Sequence, residues 1–251
     1  MRMPLLAMAV AASGALRAAE LGGPPEVRYE NTPYNGRFTF VRVRFDPSRW
    51  GPGNYMWGLD LKWNHDYPRA ESHFTKILKE ITTLDANLGG GNILDLGDPE
   101  LFKYPVAYLC EPGFWTPTEE EASRLRTYLL KGGFLIVDDF AGPQWTNFEE
   151  AMRRVLPGGR LVELDPAHAV FDSFFRVDPR GFHHPYFRGA PSSFLGVFED
   201  NDPGKRLMVV VNYNQDLSEY WEWSDTGWIP IDLSNEAYKL GVDYVIYGMT
   251  H

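Results

Sequence analysis

The stretch "YPVAYLCEPGFWTPTEEEASRLRTYLLKGGFLIVDDF", residues 104–140, constrains the fold more than any other part of the chain. Val106 to Leu109 is an apolar run of strand length. Thr116-Pro117-Thr118-Glu119 then fits a capping box with proline at the first helical position, and Ala122, Leu125, Tyr128 and Leu129 form the buried stripe behind it. Gly132-Gly133 end the helix. The next run, "FLIV", is apolar at consecutive positions, as a parallel strand covered on both faces requires. Strand, helix and strand in this order make a βαβ unit, which implies a layered α/β sheet.

The flanking sequence extends this pattern. "RFTFVRVRF" reads as a strand with Thr39, Val41, Val43 and Phe45 on one face. From Pro68, placed at the first helical position, Ala70, Phe74, Ile77, Leu78, Ile81 and Leu84 recur with helical spacing until the glycines of "NLGGGN". "NIL" is a short strand. A second helix is expected with Asn147 as its cap and Glu150 three residues on, ending at "PGG". "RLVEL" and "LMVVVN" are strands, and residues 168–193 form a loop with short pieces of structure. The ending "SNEAYKLGVDYVIYGMTH" puts Ala237, Leu240, Gly241, Tyr244, Val245 and Gly248 on one helical face. With 251 residues and no internal repeat, one large domain over residues 37–251 is expected, preceded by an extended lead-in at 19–36.

Residues 1–18 combine one early cation, Arg2, with a short Leu/Ala/Val/Met run and small residues up to Ala18, the pattern of a secretory signal peptide, with an uncleaved anchor as the alternative. The expected location is periplasmic or secreted, with no membrane span once the signal is removed. Cys110 is the sole cysteine, so an exported chain must hold its fold by packing without an internal disulfide. The net charge is −10, from 34 acidic and 24 basic residues, and no Lys/Arg run interrupts the acidic background. A nucleic-acid partner, which needs a concentrated basic surface, is therefore not expected.

"WNHDYPRAESHF", "TEEEASRLRTYLLKGGFLIVDD", "AHAVFDSFF" and "EAYKLGVDYVIYGMT" together resemble the bacterial domain-of-unknown-function 4159 family. That family in turn resembles the class I glutamine-amidotransferase-like superfamily, close in pattern to proteins with a trehalose-utilisation-type domain. The resemblance implies a flavodoxin-like three-layer sandwich with a mostly parallel central sheet. It also implies a nucleophile turn directly after "FLIV", where a glutaminase needs a cysteine. This chain has Asp138-Asp139-Phe140 there, so the nucleophile is missing from the expected position.

The candidate site residues follow from these placements. Asp138 and Asp139 end a central strand, where open α/β sheets bind ligands, and they either cap the next segment or hold a polyol or a cation. His65 and Asp66, after Trp63 and Asn64, either form a helix entry or work as an acid/base pair if they meet the Asp138 turn. Arg69 in a first helical turn opposes the dipole, so it needs a carboxylate partner (Asp66, Asp138 or Asp139) or an anionic ligand. Cys110 reads as a partly buried structural thiol rather than a reactive one.

His168 matches a short turn in the superfamily and reads as a turn histidine or a ligand-binding one. His183 and His184 are adjacent and would point apart in a strand, and no histidine pair has helical zinc spacing, so a metal could be held only by convergence of separate segments and none is expected. No cofactor is expected. "YNQDLSEYWEWSDTGW" alternates rings with Asp216, Glu219, Glu222 and Asp225, which suits either an aromatic-pinned loop or a carbohydrate surface. The expected function is an exported, non-catalytic amidotransferase-like domain. Its partner would be a small molecule or carbohydrate, or a cell-envelope protein. The alternative is a hydrolase or sugar-modifying enzyme using His65/Asp66 and Asp138/Asp139.

Overall fold

The computed structural model describes residues 30–47, 53–55, 58–89, 91–182 and 191–251. The expected signal peptide, most of the expected lead-in, and His183 and His184 lie outside these residues.

Among the described residues there are nine strands and five α-helices. The first strand, β1 (Val41–Arg44), is followed by a two-stranded antiparallel ribbon of β2 (Gly53–Tyr55) and β3 (Gly58–Asp60), then by α1 (Arg69–Ile81) and β4 (Asn92–Asp95). The βαβ unit is β5 (Val106–Cys110), α2 (Glu119–Leu130) and β6 (Phe134–Phe140). After it come α3 (Gln144–Val155), β7 (Val162–Glu163), β8 (Ser193–Phe198), β9 (Leu207–Tyr213), α4 (Leu217–Glu222) and α5 (Ile231–Thr250).

The main sheet has seven strands in the order β4-β1-β5-β6-β9-β8-β7. Strands β4, β1, β5, β6 and β9 are parallel, and β8 and β7 extend the sheet in antiparallel fashion. Numbered by appearance, the parallel set runs second, first, third, fourth, fifth, which is compatible with a flavodoxin-like fold. Alternate residues of the central strands point to opposite layers. Phe134, Ile136 and Val210 pack on the α1, α4 and α5 side, whereas Leu135, Val137, Val209 and Val211 pack on the α2 and α3 side. Both faces are buried, which explains the unbroken apolar runs.

Helix α5 can lie close to the sheet and to α1 because two of its face residues lack side chains. A Cβ at Gly241 would come within 2.6 Å of Phe74 and Trp221, and one at Gly248 within 2.9 Å of Phe134 and Val106.

Several local expectations shift. Helix α2 is capped by Thr118, with Glu121 completing the box, two residues later than the Thr116 frame. "TPTEEE" satisfies the capping pattern in both frames, and the later one puts Glu119, Glu120 and Glu121 in the first turn, where the helix dipole favours anions. Helix α3 begins at Gln144 rather than after Asn147, whose amide instead donates to the Trp115 carbonyl (2.7 Å). Pro68 is the residue before α1 rather than its first residue, and the Tyr67–Pro68 peptide is cis. Part of the Trp-rich segment is helical, as α4, because Asp216 caps it by accepting from the Glu219 amide (2.9 Å). Strand β8 was not anticipated. It is paired on both sides, and its apolar residues Phe194, Leu195, Val197 and Phe198 are interrupted by Gly196, which is packed against Leu207 and Leu164.

Candidate functional site

Every element that ends at the carboxyl edge of the central parallel strands contributes a polar group to one cluster. The segment after β1 brings Asp60, His65 and Asp66. Glu111 follows β5, Asp138 and Asp139 end β6, and Asp216, Ser218, Glu219 and Glu222 follow β9. The chain bends sharply at these points. Of the seven described non-glycine residues with positive φ, Lys62 (66°), Asp66 (63°), Glu111 (49°), Asp139 (59°) and Asn214 (56°) lie in these loops. Such conformations cost of order 1–3 kcal/mol each and tend to gather where function requires a particular side-chain direction. At Asp139 the bend coincides with a register shift between β6 and β9, so Asp138 and Asp139 point to different surroundings.

Asp138 points inward and is fully enclosed. Its Oδ2 accepts from the Tyr108 hydroxyl (2.7 Å) and the Leu217 and Ser218 amides (2.7 and 3.2 Å), and its Oδ1 accepts from the Asn212 amide (3.0 Å). Asn212 in turn accepts from the Tyr244 hydroxyl (2.9 Å). This carboxyl anchors the start of α4 to the sheet. Burial pushes its pKa up to about 7.

Asp139 points into the cluster. His65 Nδ1 lies 3.1 Å from Glu111 Oε1 and 3.4 Å from Asp139 Oδ2, and its Nε2 lies 3.1 Å from Asp60 Oδ1. Lys62 Nζ holds the other Asp60 oxygen at 2.6 Å. Burial works against a charged imidazole, but Asp139 and Glu111 outweigh it and raise His65 to about 11. His65 is thus held as an imidazolium among three carboxyl groups, and Lys62 is a second cation on Asp60. The Cys110 thiol donates to Asp139 Oδ2 (3.3 Å), and burial together with Asp139 pushes its pKa well up, so Cys110 is a buried, unreactive thiol.

Beside this half lies a more crowded one, where the charges of Arg42, His65 and Arg69 offset burial and carboxyl repulsion only in part. Ligand atoms of Asp66, Glu219 and Glu222 lie within 4.8 Å of one another, as do those of Asp66, Cys110 and Asp139, and those of His65, Glu111 and Asp139. Asp66 Oδ2 accepts from Ser218 Oγ (2.5 Å), which also lies 3.2 Å from Asp216 Oδ1. Burial, then the neighbouring Asp66, raises Glu222 to about 8 and Glu219 to about 7; burial, then Asp139, raises Asp66 and Asp216. Carboxyls this crowded need protons or a cation between them. The metal-compatible groupings arise by convergence of separate loops, which is why no spacing in the sequence announced them.

Arg69 does not join the cluster. It pairs with the Asp225 carboxylate and donates to the Glu222 carbonyl (2.7 Å), so its partner is none of the three aspartates expected. The Trp63 side chain is core, and its carbonyl accepts from Arg42 (2.9 Å). His168 caps a short turn by accepting from the Val170 amide (3.1 Å) and packs on Phe198 and Tyr247. Phe198 pairs with Leu207 at the start of β9, so His168 is at the opposite edge of the sheet. Of the sequence candidates, His65, Asp66, Asp139 and Asp216 come together, with Asp138 beneath them.

Sequence reasoning missed Asp60 and Glu111, and it missed the buried pair of Arg42 and Glu71, which are 1% and 0% exposed at their side chains. Glu111 carried a usable signal, since it directly follows an apolar parallel strand, as Asp138 and Asp139 do. Among the described residues, no helix is long and apolar enough to cross a membrane. No curated protein matches the chain. A model of the domain of unknown function DUF4159 matches residues 39–249, nearly all of the described α/β domain, and the chain therefore belongs to the DUF4159 family.

Proposed function

We propose that this chain is an exported, amidotransferase-like ligand-binding domain in which a divalent-cation site replaces the chemistry of a cysteine nucleophile. The observation that carries this reading is the trio Asp66, Glu219 and Glu222, whose ligand atoms converge within 4.8 Å and whose carboxyls stay raised although Arg42, His65 and Arg69 act on them in the opposite sense. Asp139 stands at the strand end where the superfamily resemblance puts a nucleophile, and its carboxylate is tied to His65 and Cys110. An all-oxygen trio suits a hard cation such as Mg²⁺, Mn²⁺ or Ca²⁺. His65 then serves as fixed counter-charge for Glu111 and Asp139. The N-terminal signal pattern and the flavodoxin-compatible strand order support the export and superfamily parts of the reading.

Calorimetric titration of EDTA-treated protein with Mg²⁺, Mn²⁺ and Ca²⁺ tests it. At least one cation should bind, and Asp66→Asn and Glu222→Gln should each weaken binding at least tenfold while the protein still melts cooperatively. Absence of binding by the wild type, or unchanged binding in both variants, sinks the proposal. N-terminal sequencing of the chain recovered from its native compartment tests the export part, a start at Ala19 being the expected result.

One observation favours a second reading, a hydrolase. His65 holds Glu111 and Asp139 on one ring nitrogen and Asp60 on the other, so the imidazolium would orient two strand-end carboxyls, of which Glu111, raised by burial to about 7, is poised for acid/base work. Turnover of ester or glycoside substrates that survives EDTA and disappears in His65→Gln would favour this alternative.

A further inference from the structure

The half of the cluster around His65 offers a cation a different set of donors. His65, Glu111 and Asp139 come from the loop before α1, the end of β5 and the end of β6, and their ligand atoms all lie within 4.8 Å of one another. His65 Nδ1 is 3.1 Å from Glu111 Oε1 and 3.4 Å from Asp139 Oδ2. Ligand atoms on a tetrahedral Zn²⁺ with bonds of about 2.0 Å are separated by about 3.3 Å, so this nitrogen and its two oxygens already stand near that spacing. Neighbours hold the far atoms of the set. Asp60 Oδ1 lies 3.1 Å from His65 Nε2, Lys62 holds the other Asp60 oxygen at 2.6 Å, and Gln144 Nε2 donates to Glu111 Oε2 (3.1 Å). A metal-ligating histidine is usually supported in this way, because a carboxylate on one ring nitrogen fixes the tautomer that presents the other lone pair to the ion. The side chains of His65, Glu111 and Asp139 are 18%, 10% and 11% exposed, so an ion can reach them from solvent, unlike the enclosed Asp138.

Donor chemistry separates this set from the trio Asp66, Glu219 and Glu222. Three carboxyls suit a hard cation, whereas an imidazole nitrogen with two carboxylates suits a borderline transition-metal ion such as Zn²⁺. Three protein ligands also leave a fourth position open, as in catalytic rather than structural zinc sites. Asp66 and Asp139 join the two sets, since with Cys110 they make a third grouping whose ligand atoms lie within 4.8 Å of one another. On the reading of this cluster as a cation centre, we propose that it holds two neighbouring ions, a hard cation in the trio and a Zn²⁺-class ion on His65 Nδ1, Glu111 and Asp139. The proton on His65 Nδ1 leaves as the second ion enters, and the Nε2 proton stays on the Asp60 side. With a hard cation alone, His65 keeps both protons and remains the counter-charge of Glu111 and Asp139.

Calorimetry of the EDTA-treated full chain with Mg²⁺, Ca²⁺ and Zn²⁺ counts the sites. Zn²⁺ should bind one equivalent more than the better-bound hard cation. That extra equivalent should disappear in His65→Gln and weaken roughly tenfold or more in Glu111→Gln, while both variants melt cooperatively and keep the hard-cation equivalent. Long-range ¹H–¹⁵N spectra of the Zn²⁺-loaded wild type should show His65 protonated on Nε2 alone, a signature that needs no variant and that a merely structural histidine does not give. The proposal is overturned if Zn²⁺ binds no more equivalents than the hard cation, if the extra equivalent survives both substitutions, or if His65 keeps its Nδ1 proton at saturating Zn²⁺. Failure of the trio gives a different result: no hard cation binds, and a single His65-dependent Zn²⁺ equivalent still supports this second site.

Discussion

Arg42 on β1 and Glu71 on α1 form an ion pair with both side chains removed from water. The guanidinium also donates to the Trp63 carbonyl (2.9 Å) and lies 5.0 Å from the centre of the Tyr108 ring. It tethers the loop that carries His65 and Asp66 to the sheet. Burial raises the Glu71 carboxyl and the Arg42 charge opposes this, so either residue alone would be a poorly solvated charge. Arg42→Met or Glu71→Leu should each destabilise the protein by about 3–5 kcal/mol, and the double variant by less than the sum. Urea unfolding of the three variants measures this coupling, and strictly additive losses would count against it.

Asp138 and Asp139 are neighbours with different work, and substitution separates them. Asp138→Ala removes the acceptor of four hydrogen bonds and leaves the Asn212 and Leu217 donors buried, so a loss of about 2–4 kcal/mol is expected. Asp139→Asn should leave the fold nearly unchanged and shift the titration of His65, since one of its three carboxylate neighbours becomes neutral. Chemical denaturation gives the first result and the imidazole NMR shift against pH gives the second. A collapse of stability in Asp139→Asn would assign both residues to the scaffold.

Pattern made the layers legible but not the site. Consecutive apolar residues in "FLIV" and "LMVVVN" identify strands covered on both faces, and the spacing of Ala237, Leu240, Tyr244 and Val245 identifies α5. The carboxyl ends of those strands also marked Asp138 and Asp139. What local spacing does not contain is which loops meet. Asp66 and Ser218 are 152 residues apart and share a 2.5 Å contact. Arg42 alternates with apolar neighbours as a solvent-facing residue would, and only the position of Glu71 on a packed helix explains its burial. Arg69 shows the same limit, because its carboxylate partner, Asp225, comes from a distant segment that also holds Asp216, Glu219 and Glu222.

The crowding at Asp66, Glu219 and Glu222 makes the cation-free protein sensitive to pH. The folded-state values, about 7 for Glu219 and about 8 for Glu222, lie above the ordinary carboxylate range, so the folded chain holds protons that the unfolded chain releases. Both states are protonated below about pH 4, and the stability there is the reference. As pH rises from about 4 to 8 the folded state must give up its protons against repulsion, so this contribution to stability falls, and above about 8 it stays constant. Glu222→Gln should flatten that decline, and saturating Mg²⁺ or Mn²⁺ should reverse it while releasing protons on binding. Melting curves at pH 5, 7 and 8.5 with and without cation measure both effects. A wild-type melting temperature that rises through this window without added cation would contradict the reading of these carboxyls as a cluster that nearby cations compensate only in part.

The approach of α5 to its neighbours gives a test free of electrostatics. Gly241 faces Phe74 and Trp221, whose rings stack at 4.5 Å between centroids, so no neighbouring side chain there is flexible enough to yield. Gly241→Ala should therefore lose about 1–3 kcal/mol through overpacking, despite the higher helix propensity of alanine. The strain would move α5 away from α1 and α4, and α4 carries Ser218, Glu219 and Glu222. A weaker cation affinity is expected together with the lower melting temperature. Gly227→Ala is a comparison from the turn before α5: its strain comes from a φ of 73° and no atom crowds its Cβ within 4 Å. If Gly241→Ala and Gly227→Ala change cation affinity alike, loss of stability alone accounts for the effect, and the packing of α5 does not position the cluster.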